Sequence, residues 1–148
     1  MSKGWPRAAA AATVWLMAAA ASGPTASQVH VDVAGLRSAK GTVHLCLTGQ
    51  ASRFLKCKED KGAVALSVPA GKAAHLALGP VKPGTYALLV VHDENRNGKL
   101  DMMMGIPREG FGFSNNPKIK MRAPTFEEVR FAVQPGSQVH AVRLRYVL

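Results

Sequence analysis

Beyond residue 28 the chain is organised by two-residue alternation. Val29-His30-Val31-Asp32-Val33 and Val43-His44-Leu45-Cys46-Leu47 set apolar and polar side chains by turns, the signature of strands with one buried and one solvated face. Weaker runs cover Val64 to Val68 and His75 to Leu78. Tyr86 to Val91 is apolar without interruption, which predicts a central strand buried on both faces. Alternation returns over Phe126 to Val133 and Val139 to Val147, with Val142, Leu144 and Tyr146 inward and Arg143 and Arg145 outward. Glycine and proline punctuate these runs, and no amphipathic helix of useful length interrupts them. The pattern predicts an all-β chain, a single antiparallel β-sandwich of about seven strands with two sheets around a common core. A small outer-membrane barrel fits less well, because its strands run about 9 to 11 residues and several here are shorter.

Met102 to Pro124 breaks the rhythm. It is rich in Gly, Pro and Asn and carries no strand pattern, so it is expected to be one long ordered loop. Phe111 and Phe113, with Met102, Met103 and Met104 nearby, predict that the loop folds back and is pinned to the sheet by its aromatics. A sugar-stacking face built from the two rings is the alternative.

The first residues change the picture of where the protein works. Lys3 and Arg7 precede an apolar run from Ala8 to Ala21, the layout of a secretory signal peptide. A spanning helix needs roughly 20 apolar residues, and this run stops sooner, at Ser22-Gly23-Pro24. Cleavage is expected between Ala21 and Gln28, preferably at Thr25-Ala26-Ser27, giving a signal peptide over 1–27 and a sandwich domain over 28–148. The mature protein is then periplasmic or secreted and not membrane-embedded.

Charge adds a class of partner. The chain carries 19 basic and 9 acidic side chains, a formal net charge of +10, and the leader removes only Lys3 and Arg7 from that balance. Arg53, Lys56, Lys58 and Lys61 crowd one loop, and Lys118, Lys120 and Arg122 crowd another. No nucleic-acid-binding motif is present, so the charge points either to a solvated surface or to an anionic envelope component or cell-surface polymer. Cys46 and Cys57 are the two cysteines. In an exported chain they are read as a disulfide closing the loop between them. Two buried thiols or a metal pair are the alternatives, the latter lacking further ligands at suitable spacing.

Chemistry concentrates in His92 to Asn116. Asp93, Asn95, Asn97, Gly98 and Asp101 follow the D-x-[DN]-x-[DN]-G calcium-loop pattern, with the Lys99 carbonyl as a backbone ligand. Those residues offer about five of the six to eight oxygens a calcium ion takes. Met104 stands where the helix–loop–helix version has its bidentate glutamate, so a regulatory EF-hand is excluded. Glu109 could complete the shell. An unmetallated Asx-rich turn explains the same residues, since Asn97-Gly98 favours a tight turn, and both readings stay open. For catalysis the one cluster of titratable groups near a loop mouth is His92 beside Asp93 and Glu94, with Ser114 a conceivable nucleophile and Glu109 a conceivable acid. Neighbours on a strand face opposite ways, so the protein is expected not to be an enzyme, with a hydrolase using His92, Asp93 and Glu109 as the alternative. His92 is expected to end its strand hydrogen-bonded to a loop carbonyl, and His30, His44, His75 and His140 to lie on the surface.

The runs His92 to Asp101, Gly105-Ile106-Pro107-Arg108-Glu109-Gly110-Phe111-Gly112-Phe113-Ser114-Asn115 and Ala123-Pro124-Thr125-Phe126, with Pro83-Gly84-Thr85-Tyr86 before them, resemble the exported bacterial family known as domain of unknown function 2141. The resemblance spans nearly all of the mature chain. It implies a transthyretin-like or prealbumin-like sandwich outside the cytoplasm and assigns no activity. The expected function is therefore that of a small extracytoplasmic binding or accessory domain, with calcium as the one cofactor the sequence suggests.

Overall fold

The computed structural model describes residues 25–148; the expected leader up to Pro24 lies outside them. Besides three short 3-10 turns, ten strands and one α-helical turn follow in order: β1 (Ser27–Ala34), β2 (Thr42–Thr48), β3 (Val64–Pro69), β4 (His75–Val81), β5 (Gly84–Asp93), β6 (Met102–Met103), β7 (Ile106–Pro107), β8 (Gly110–Phe113), α1 (Phe126–Val129), β9 (Phe131–Val133) and β10 (Ser137–Arg143). The first sheet has the order β10-β1-β4 and the second β3-β2-β5-β8, with β9 pairing the start of β5. The protein is all-β, as the alternation predicts.

The apolar rows of the alternating strands meet between the sheets. Val29, Val31 and Val33 of β1 face Val43, Leu45 and Leu47 of β2 and Leu88 and Val90 of β5, all nearly or fully buried. Val142 and Leu144 point inward with them, and Tyr146 packs at the margin. Ser27 begins β1 fully buried, and its hydroxyl donates to the Gln134 carbonyl at 2.5 Å. The strand thus begins one residue before the predicted domain start.

Four expectations are corrected. β1 runs parallel to β10, so the small sheet is mixed. Phe126–Val129 is a helical turn instead of strand: Thr125 and Glu128 form a reciprocal capping box, a local signal that outweighs the alternation. The final strand occupies Ser137–Arg143, and the chain then crosses to β8, where Phe111 and Arg145 exchange backbone hydrogen bonds of 3.0 and 2.8 Å. Met102 to Pro124 is not one unbroken loop, because it contains the β6–β7 hairpin and β8.

Strand β8 escaped the pattern because its inward positions are glycines. A Cβ at Gly110 would lie 2.5 Å from the Tyr146 ring, and one at Gly112 would lie 2.7 Å from Val142 Cγ1. The alternation Gly-Phe-Gly-Phe lets the end of the chain pass close on one side while both phenylalanines face the other.

That other side is the outer face of the large sheet. A second apolar cluster sits there, built from Phe54, Ala87, Phe113 and Val129 with Leu89, Phe111 and Phe126 against it. Phe54 stands edge-on to Phe113 and Phe126, with ring centroids 6.1 Å apart in each pair. The cluster covers only one end of the face, so Leu89 and Val91 remain half-buried and β5 is less enclosed than its continuous apolar run predicts.

Candidate functional site

The uncovered part of that outer face is the floor of a cleft of about 940 Å³. Cys46, Ala65, Leu89, Val91, Phe111 and Phe113 point into it from four adjacent strands. Three separate segments raise its walls. The first is the loop Leu55 to Glu59, tied to β2 by the Cys46–Cys57 disulfide, whose Cα atoms are 6.1 Å apart. The second is the β6–β7 hairpin with Lys99 and Leu100 before it, and the third is Pro117 to Pro124.

Each wall carries both kinds of side chain. Leu55, Met102, Ile106, Ile119 and Met121 line the cleft and are yet exposed to solvent. Lys56 and Lys58, then Lys99, then Lys118, Lys120 and Arg122 stand on the same three segments. The two basic runs read separately in the sequence therefore flank one cavity. Two acids accompany them, both already paired. Glu128 takes Lys120 Nζ at 2.7 Å and Arg122 at 2.8 Å, contacts that hold its carboxyl far below the usual range. Glu59 lies 3.6 Å from Arg53.

The Asp/Asn loop forms one end of this region. Asp93 is buried, and its carboxylate accepts Gly98 N at 2.7 Å and Asn97 N at 3.1 Å. Burial pushes its pKa up, but the amides of Gly98 and Asn97 and the His44 ring outweigh that and hold it below the ordinary aspartate value. Asn95 Oδ1 accepts Asn97 N at 3.1 Å, and Asn97 Oδ1 accepts Lys99 N at 2.9 Å. Their amide groups donate to Asp101 at 2.6 and 2.8 Å. Glu109, also buried, bridges Glu94 N at 2.9 Å and Asp101 N at 3.1 Å. Five of the six predicted ligand residues thus share one hydrogen-bonded loop, with their side-chain oxygens turned to N–H groups; the sixth, Lys99, joins through its backbone N–H. Among the described residues, no group of three or more His, Cys, Asp or Glu side chains has metal-binding geometry. A cation there would require both asparagine amides to turn.

The residues of the hydrolase alternative do not converge on one face. His92 is fully buried on the core side, bound to Tyr146 OH at 2.7 Å and, as expected for the end of its strand, to the Lys40 carbonyl at 2.7 Å. Asp93, the next residue, faces the opposite way. Ser114 is buried too: its hydroxyl donates to the Val129 carbonyl at 2.5 Å and accepts Leu88 N at 3.0 Å. It is a clasp between β5 and α1. Asn115 and Asn116 continue the clasp, reaching the Arg130 and Ala141 carbonyls, each at 2.9 Å.

His44, read as a surface residue, is the histidine that meets Asp93. Its Nε2 lies 3.2 Å from Asp93 Oδ2 and its Nδ1 2.7 Å from Ser67 Oγ. Ser67 and His44 are cross-strand partners, and both line the cleft. The strand pattern could place them on one face, but the pairing of β2 with both β3 and β5 was needed to join them.

No curated protein and no solved structure matches the chain. A family model described as "Uncharacterized protein conserved in bacteria (DUF2141)" matches residues 31–141, from β1 to β10. This interval includes the complete Asp/Asn loop, the Gly-Phe-Gly-Phe strand and the Ser-Asn-Asn clasp, so the chain belongs to the DUF2141 family.

Proposed function

We propose that the protein is an extracytoplasmic binding module that takes an apolar or amphipathic molecule into the cleft on the outer face of its large sheet. The observation that carries this reading is the apolar floor of a cavity of about 940 Å³ bounded by walls with exposed Leu55, Ile119 and Met121. Such volumes suit small ligands held mainly by apolar contact, and exposed apolar patches mark binding surfaces. The disulfide fits an oxidising compartment. The test is titration with a fluorescent long-chain fatty acid below its micelle concentration, comparing wild type with Ala65→Trp. Ala65 is exposed on the floor, so tryptophan fills the cavity without disturbing the core. Saturable binding that weakens at least about tenfold, or roughly 1.4 kcal/mol, is expected. Equal binding by both proteins, or none by wild type, removes this reading.

A second reading is favoured by the Ser67–His44–Asp93 chain, whose order of hydroxyl, imidazole and buried carboxylate is that of nucleophilic acyl transfer. A fluorophosphonate probe would then modify Ser67 in wild type and not in His44→Ala. Failure to label Ser67 leaves the chain as a support for the Asp93 loop.

A further inference from the structure

The three walls of the cleft share a combination that a buried ligand alone does not require. Each ends in apolar side chains facing water and carries at least one cation beside them. The β6–β7 hairpin is the extreme case. Met103 pairs with Ile106 across a two-residue turn made of Met104 and Gly105, and Met104 is 97% exposed. Its φ is 51°, the left-handed conformation that Asn, Asp or Gly adopts with less strain at this turn position. A long apolar side chain thus occupies a strained position and reaches into solvent. Met121, on the Pro117 to Pro124 wall, is also fully exposed.

We infer that the mouth of this cleft docks on the surface of an anionic phospholipid bilayer, the methionine-tipped hairpin and Met121 entering the acyl boundary while the lysines meet headgroup phosphates. Charge selects this occupant. Lys56, Lys58, Lys99 and Lys118 line the cleft with no salt bridge among the described residues, while Lys120 and Arg122 neutralise Glu128 and Arg53 neutralises Glu59, the two acids that line it. Apolar insertion and a basic surface are the two signals that together make interfacial binding stable. Among the described residues no helix is long and apolar enough to cross a membrane, and docking by loop tips needs none. This inference rests on the cleft as the binding site, and it supplies the source from which an amphipathic ligand would enter.

The experiment is vesicle co-sedimentation with residues 25–148, which contain every strand of both sheets. Vesicles of equal phosphatidylglycerol and phosphatidylcholine are compared with phosphatidylcholine alone. Wild type is expected to bind the anionic vesicles at least about tenfold more tightly, with binding falling as salt rises. Met104→Asn relaxes the turn, so its fold is retained, and it is expected to lose at least about fivefold in vesicle affinity. Lys99→Glu with Lys118→Glu is expected to abolish the preference for anionic lipid. Equal binding to both vesicle types, or binding unchanged in Met104→Asn, overturns the inference. Self-association without vesicles that disappears in Met104→Asn also overturns it, since a second copy would then cover this face. The two proposals separate cleanly: fatty-acid binding without vesicle binding sinks the docking and leaves the cleft, whereas vesicle binding that survives when wild type takes up no fatty acid sinks the cleft.

Discussion

The two faces of β5 receive side chains from the same ten residues and treat them in opposite ways. On the inner face Leu88, Val90 and His92 are fully buried, the histidine with both ring nitrogens bonded. On the outer face Ala87 is buried under Phe54 and Phe113, but Leu89 and Val91 are left as open floor. Asp93 then anchors the Asx loop beside them. The inner face is closed by a second sheet, and apolar content there is explained by folding alone. The outer face is as apolar but is covered at one end only, so folding alone does not account for the apolar side chains left open there, and the binding proposal rests on that difference.

Paired truncations on adjacent residues measure that difference. Leu88→Ala removes a fully buried side chain and is expected to cost about 3 to 5 kcal/mol in urea unfolding. Leu89→Ala, at a half-buried position on the cleft floor, is expected to cost about 1 kcal/mol or less, while weakening fatty-acid binding. Comparable losses of stability would mean that the outer face is sealed in solution and offers no open cleft.

The same contrast explains what was legible in the sequence. β1, β2 and β3 announce themselves because one sheet face is buried and the other wet, so alternation is written into the side chains. β8 does not, because close packing against Val142 and Tyr146 demands glycine where the pattern demands an apolar residue. The Asp93 to Asp101 loop was legible as a unit because its turn chemistry is local. The cleft was not, since its walls come from residues 55–59, 99–107 and 117–124, and only the strand order brings them around one floor. His44 and Ser67 were hidden for the same reason: each is an ordinary outward residue until β2 is placed between β3 and β5.

Asp93 offers the smaller and finer test, because it separates a turn anchored by its own hydrogen bonds from a loop completed by a cation. Its carboxylate serves the Asn97 and Gly98 amides together with His44, so Asp93→Ala is expected to cost about 1 to 3 kcal/mol through the donors it leaves unpaired. The folded-state pKa lies below the unfolded value of about 3.9. Its contribution is therefore complete above that unfolded value and is lost as pH falls through the folded one. Thermal melts between pH 7 and pH 2 are expected to show wild type losing its advantage over Asp93→Ala only at the acid end. Repeating the pH 7 melts in excess calcium and in chelator decides between the two loops. With Asn95 and Asn97 donating to Asp101, the two curves are expected to coincide. A calcium-dependent rise of about 2.7 kcal/mol at 100 times the dissociation constant, absent in Asp93→Ala, would show instead that the asparagine amides turn and that Asp93, Asn95, Asn97, Asp101 and the Lys99 carbonyl close around the ion.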